Sequence, residues 1–213
     1  MSNLLALLNQ ELAALSDQVL ASLVQVINRG RGAGAGAIWQ SNGVIVTNAH
    51  VVQDRHGAAA HGLTVRLADG RELAARVIAA DAQRDLAALQ VDSAGLPAIR
   101  PGDSRALQPG DMVMAMGFPF GIQGGATTGI VIGTGTDLPE IRDTRREWIA
   151  ASLHLRPGHS GGPMVDSAGR LVGINTLMNG PEVGVAIPVH VVADFMAHLT
   201  PPAPAQEAAP VMV

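Results

Sequence analysis

Short β-branched runs recur along most of this chain at roughly 8–12-residue spacing, and nothing else constrains its fold as strongly. Val24–Ile27, Gly43–Thr47, Leu63–Leu67, Arg76–Ile78 and Ala87–Val91 come first. After Leu96–Asp111, a connector with proline-containing turns, the rhythm resumes in Met112–Met116, Gly129–Gly133, Glu147–Ala151, Pro163–Asp166, Leu171–Asn175 and Val183–Ile187. Turn signals punctuate the runs: Ser41-Asn42-Gly43, Ala68-Asp69-Gly70 and Asp166-Ser167-Ala168-Gly169. Asn, Asp and Gly at such positions tolerate the left-handed backbone that tight reversals need. The pattern predicts an all-β barrel or sandwich, in two units of similar size at about residues 22–100 and 108–190.

Both ends read differently. Leu5, Leu8, Leu12, Leu15 and Val19 are spaced alternately three and four apart, which places them on one face of a helix within residues 1–21. Packing on the protein's own body is the expected role of that face, with an oligomer contact as the alternative. Val189, Val192, Phe195, Met196 and Leu199 predict a closing helix over 189–199, so the folded unit spans about 22–199. Residues 200–213, rich in Pro and Ala, have too little apolar bulk to fold and are expected to be disordered.

Composition removes several classes of chemistry. The 213 residues contain no Cys, which excludes thiol nucleophiles, thiolate metal sites and disulfides. The net charge is −4 and the arginines are scattered, so no nucleic-acid partner is expected. No stretch is apolar enough to span a bilayer, so no membrane partner is expected either. The opening MSNLLALLNQELAAL lacks a basic leader and is cut by Asn9, Gln10 and Glu11, which predicts a chain that stays in the cytoplasm.

Three segments carry chemistry. His50 follows the strand-like Gly43–Thr47, Asp85 precedes the apolar Leu86–Leu89, and Ser160 lies between glycines in Arg156-Pro-Gly-His-Ser-Gly-Gly-Pro163. A serine hydroxyl is a poor nucleophile unless an imidazole takes its proton as the oxygen attacks. That imidazole needs a carboxylate on its other nitrogen to fix the tautomer. The developing oxyanion needs backbone N–H donors aimed at it, which the glycine-flanked turn can supply from Gly158 and Ser160. Gly158-His-Ser-Gly-Gly162 also fits G-x-S-x-G, but that elbow must run straight into a helix, and Pro163 opens a strand–hairpin–strand pattern instead. Asp81 rivals Asp85, although the apolar run after Asp85 would bury the carboxylate better. His56, His61, His190 and His198 read as ordinary solvated residues, and their spacing matches no metal site.

Thr47-Asn-Ala-His-Val-Val52, Asp85-Leu-Ala-Ala-Leu89, Ala115-Met-Gly-Phe-Pro-Phe-Gly121, Thr128-Gly-Ile-Val131, Gly158-His-Ser-Gly-Gly-Pro163, Val172-Gly-Ile-Asn-Thr176 and Gly184-Val-Ala-Ile-Pro188 together resemble the HtrA (Deg) branch of the trypsin-like serine proteases. The order His, Asp, Ser separates that group from α/β-hydrolases and subtilisins. The resemblance implies two six-stranded antiparallel Greek-key β-barrels with the site in the cleft between them, His50 and Asp85 on the first and Ser160 on the second. It implies a serine endopeptidase acting on unfolded or flexible polypeptides, with Gly158 and Ser160 as oxyanion donors, the His159 N–H adjacent, and no metal or organic cofactor. The alternative is a weak or inactive, chaperone-like polypeptide-binding module on the same fold. His159 replaces the family's usual Asn; its ring titrates near neutral pH and would make the oxyanion loop pH-sensitive, although a tolerated, surface-facing placement is expected. By the same resemblance, His154 and Leu155 form the base of the specificity pocket, with Thr176, Leu177 and Met178 across from them. No PDZ domain fits after Pro188, and the trimer common in the family stays open through the N-terminal helix.

Overall fold

Strand runs bounded by turn residues close on themselves twice in the computed structural model, which describes residues 3–29, 32–54, 56–139, 141 and 143–199. Barrel one comprises β1 (Leu23–Asn28), β2 (Gly32–Gln40), β3 (Val44–Thr47), β4 (Leu63–Arg66), β5 (Glu72–Asp81) and β6 (Leu86–Val91). Its antiparallel strands close in the order β1-β2-β3-β6-β5-β4. Barrel two comprises β7 (Met112–Gly117), β8 (Gly125–Gly135), β9 (Trp148–Ser152), β10 (Pro163–Asp166), β11 (Leu171–Met178) and β12 (Val183–Pro188). It repeats the same topology as β7-β8-β9-β12-β11-β10.

Period-two alternation sorts the side chains into separate cores. Val24, Val26, Ile38, Ile45, Val65 and Leu89 fill barrel one. Ala115, Val131, Ile149, Met164 and Val172 fill barrel two. A third cluster, with Ala35, Val46, Leu86, Met116, Trp148 and Ile174, glues the barrels together. Each fully buried aliphatic side chain in these layers contributes about 1.5–3 kcal/mol.

One strand is absent from the sequence reading. The Gly-Ala repeat opening β2 has no β-branched residues, yet its register runs Leu23↔Ala37 to Asn28↔Gly32 without a break. Packing decides it. A Cβ on Gly34 would meet the Val51 side chain at 2.8 Å and the Ser160 carbonyl at 3.0 Å. The bare strand can therefore come close enough for the Ala35 N–H to donate to the Ser160 carbonyl at 2.8 Å. Barrel one thus grips the main chain of barrel two at Ser160.

α1 (Leu4–Leu20) begins where the Asn3 side chain accepts the Leu5 N–H at 3.1 Å. Its predicted apolar face is only half used: Val19 is buried and Leu12 and Leu15 pack on the inter-barrel cluster, but Leu5 and Leu8 stay exposed. A groove of about 280 Å³ separates this part of the helix from Met112 and Met114 of β7. α2 (Ala49–Val52) is one turn long, and α3 (Val189–Ala197) packs on β11 and β12. Arg84 ties α3 to barrel one through Asp194 at 2.7 Å and stacks on Phe195. His190 departs from the solvated role expected of it. Its Nδ1 meets the buried Ser104 hydroxyl at 2.7 Å and its Nε2 meets Glu147 at 3.0 Å, which joins the inter-barrel connector to α3 and the approach to β9. Among the described residues no helix is long and apolar enough to cross a membrane. The tail expected to be disordered, 200–213, lies outside the described residues.

Candidate active site

β3 runs directly into α2, which carries His50 at its second position. Across from it, the β5–β6 reversal is an Asx turn: the Asp81 carboxylate accepts the N–H groups of Gln83 and Arg84, both at 2.9 Å. The reversal leaves Asp85 in the left-handed region at φ 54°, which Asp tolerates better than most residues. Its carboxylate thereby faces His50. His50 Nδ1 lies 3.0 and 2.9 Å from the two Asp85 oxygens, and the His50 backbone N–H donates to one of them at 3.1 Å. Because a carboxylate only accepts, Nδ1 carries the proton and Nε2 presents its lone pair. The Asn48 amide holds the Asp85 carbonyl at 3.0 Å, and the Thr176 hydroxyl donates to the carboxylate at 2.7 Å from barrel two. Burial pushes the Asp85 pKa up, but the His50 hydrogen bond and charge and the Thr176 bond outweigh it, so the net shift is downward. The rival Asp81 instead pairs with Arg84 at 2.6 Å.

Ser160 sits in two consecutive turns. The His159 N–H donates to the Arg156 carbonyl at 2.9 Å, and the Gly162 N–H donates to the His159 carbonyl at 2.9 Å. Gly158 (φ 105°) and Gly161 (φ 82°) each occupy the third position, where a positive φ is required. The Phe120 N–H holds the Pro157 carbonyl at 3.2 Å, so the Gly158 N–H, trans to it in the same peptide plane, points the opposite way. Among the described residues the Gly158 and Ser160 N–H groups make no hydrogen bond. His50, Gly158, Ser160 and Gly34 line one cavity of about 210 Å³. The Ser160 hydroxyl itself donates to the Thr176 carbonyl at 3.1 Å.

Three sequence expectations need correction. The His159 N–H is spent on Arg156, so it is not a third oxyanion donor. Its ring is not surface-facing: only 1% of the residue is exposed, and Nδ1 accepts the Arg156 N–H at 3.0 Å. The specificity pocket divides as well. Leu155 is buried in the barrel-two core with its N–H on the Met178 sulfur at 3.0 Å, and His154 is exposed and donates to the Pro181 carbonyl at 3.0 Å. Thr176 and Leu177 line a different cavity, beside His50. The sequence reading gave Thr176 only to substrate binding and missed its bond to Asp85. Among the described residues no cluster of His, Asp and Glu could hold a metal ion.

Burial holds the His159 pKa below its ordinary value, against the pull of the nearby Arg156 and Gly125 carbonyls. In the unfolded chain the ring takes a proton near pH 6.5, whereas in the folded chain it does so only at lower pH. Stability is therefore lost as pH falls below about 6.5. Thermal melts of the parent and His159→Asn between pH 7.5 and 5 are expected to diverge, with the parent losing more; parallel curves would discount the ring.

The trypsin-like peptidase domain matches residues 34–174. The chain belongs to the trypsin-like peptidase family. Within it, the chain is 40% identical over 171 residues to a "Probable periplasmic serine endoprotease DegP-like" of Pseudomonas putida, covering 78% of this chain and 34% of that protein. It is 34% identical over 175 residues to a "Putative serine protease HhoB" of Synechocystis sp., covering 80% of this chain and 41% of that protein. The chain thus spans about a third to two fifths of the length of these curated relatives. Among solved structures, the HtrA-type protease AlgW with a tripeptide superposes with a TM-score of 0.77 at 32% identity, covering 87% of this chain and 62% of that one. The expected cytoplasmic placement is corrected by these relatives: proteins matched in Pseudomonas putida and Halomonas elongata are named periplasmic. An apolar opening without a basic leader was no guide to compartment.

Proposed function

We propose that this peptidase is a serine endopeptidase of the HtrA/DegP type that cuts unfolded or flexible polypeptides outside the cytoplasm. Ser160 attacks the peptide carbonyl while His50 Nε2 accepts its proton and later delivers it to the leaving amine. Asp85 holds the imidazole in the required tautomer and stabilises the imidazolium. The Gly158 and Ser160 N–H groups receive the oxyanion. The observation that carries this reading is the His50 Nδ1–Asp85 contact at 2.9 Å, with His50, Ser160 and both unbonded N–H groups on one cavity. The Ser160–Thr176 bond is a resting rotamer, and rotation about Cα–Cβ on substrate arrival brings the hydroxyl to His50. Polypeptide substrates fit a cleft between barrels that can take an extended strand. They also fit the tripeptide and decapeptide in the AlgW structures. The exposed leucines at the start of α1 offer the surface through which copies of the chain would associate.

A fluorophosphonate probe tests the assignment. The expected result is an adduct on Ser160 that disappears in Ser160→Ala. A folded protein that takes no adduct yet still binds unfolded casein would make this a polypeptide-binding module instead.

A further inference from the structure

His50 has cavities on both sides. One holds Ser160 and the free N–H groups; the other, about 290 Å³, lies on the Asp85 side. Its lining includes Ala49, Gln53, Ala82, Trp148, Leu177 and Arg146. Because His50 lines both cavities, the second lies next to the first along the cleft.

The charges in that cavity are unequal in availability. The Asp85 carboxylate keeps its negative charge in this cavity, but its oxygens already accept from His50 and Thr176. Arg146 is different. Its Nε pairs with Asp143 at 3.0 Å, but Asp143 also takes the Arg145 Nε at 3.0 Å on its other oxygen. One carboxylate shared by two guanidinium groups leaves a net positive charge. Among the described residues the two terminal nitrogens of Arg146 make no hydrogen bond. Glu147, the adjacent acid, is held by His190 at 3.0 Å.

Arg146 is also fixed in place. Its guanidinium stacks on the Trp148 ring at 5.5 Å, and the Trp148 indole N–H donates to the Asp143 carbonyl at 2.9 Å. The ring, the ion pair and the loop brace one another, so the guanidinium loses little freedom when it captures a ligand. A planar fork with two free nitrogens matches a carboxylate.

We propose that this cavity is a substrate subsite for an acidic side chain, Glu or Asp, flanking the scissile bond on the Thr176–Leu177 side of the cleft, with Arg146 as the residue that selects it. The proposal rests on the protease reading for the direction of the cleft, and its test is built to fail separately. Peptides identical except for Glu, Gln or Lys at each position flanking the cut are compared by kcat/KM. The parent is expected to prefer Glu over Gln at one position by roughly ten- to hundredfold, the range for a charge-assisted pair. Arg146→Gln is expected to collapse that ratio toward one, and Arg146→Glu to turn the preference toward Lys, a reversal that general loosening of the loop would not produce. The same peptides are bound to Ser160→Ala by fluorescence anisotropy with and without the Arg146 changes, which reads the subsite without turnover. Glu-over-Gln binding that Arg146→Gln removes supports the subsite even if Ser160 takes no probe. A parent indifferent to Glu at every position in both assays, or an Arg146→Gln chain that keeps the preference, overturns it.

Discussion

Asp85→Asn is expected to lower kcat on a cleavable peptide by about ten-thousandfold. Asn is the appropriate replacement because it too tolerates the left-handed backbone at φ 54°, so the β5–β6 reversal survives. The electronic consequence is severe. An amide nitrogen facing His50 Nδ1 needs an acceptor there, which moves the ring proton to Nε2 and removes the lone pair that Ser160 requires. The Thr176 hydroxyl and the His50 N–H, both donating to the carboxylate, then compete for a single amide oxygen. Asp81→Asn is the control: it weakens the Asx turn and the Arg84 pair at 2.6 Å but leaves the imidazole facing Asp85. Turnover within tenfold of the parent in Asp85→Asn, or equal damage from Asp81→Asn, would remove Asp85 from its role.

The second large effect is steric. A methyl group on Gly161 would fall on the Ala35 carbonyl and the Thr47 hydroxyl, both in barrel one, while its backbone is fixed at φ 82°. The Gly161 N–H is also tied to the Asn175 carbonyl at 2.8 Å, so the turn has little room to slide. Gly161→Ala combines an unfavourable φ with overpacking and is expected to cost about 2–4 kcal/mol. For a chain of this size that corresponds to a drop of roughly 5–15 °C in Tm. The fluorophosphonate reaction is expected to slow by about a hundredfold, since displacement of a reacting group by about an ångström costs that much. Gly57→Ala provides the comparison: its φ is also 82°, but nothing lies within 4 Å of the added carbon. Equal effects from the two changes would show that the inter-barrel contact carries no weight.

The barrels were legible because β-branched runs and turn residues follow the strand period nearly everywhere. β2 escaped because its first half is glycine and alanine, and the reason for that composition is tertiary: the strand must come close to Ser160, which no local pattern announces. His50, Asp85 and Ser160, the residues the proposed mechanism uses, stood out in the sequence because each is a chemically distinctive residue in a distinctive setting. Thr176 was assigned only to substrate binding because a threonine at a strand end has many uses, and its bond to Asp85 crosses between barrels. His159 was placed on the surface because its flanking glycines suggest an exposed turn; the turn instead folds the ring under itself. Arg146 and Trp148 gave no signal, since one arginine among many becomes informative only once the loop sets it beside His50.

On the proposed reading, the 2.8 Å bond from the Ala35 N–H to the Ser160 carbonyl makes the cutting centre a reporter of whether the two halves of the molecule are docked. Ser160 comes from one half, its imidazole from the other, and the bond fixes their separation. If heat or denaturant parts the halves, nucleophile and base separate in the same motion, before either barrel needs to unravel. A damaged copy of such a molecule falls silent instead of cutting its neighbours indiscriminately, which is a useful mode of failure for a protein whose proposed substrates are other unfolded chains.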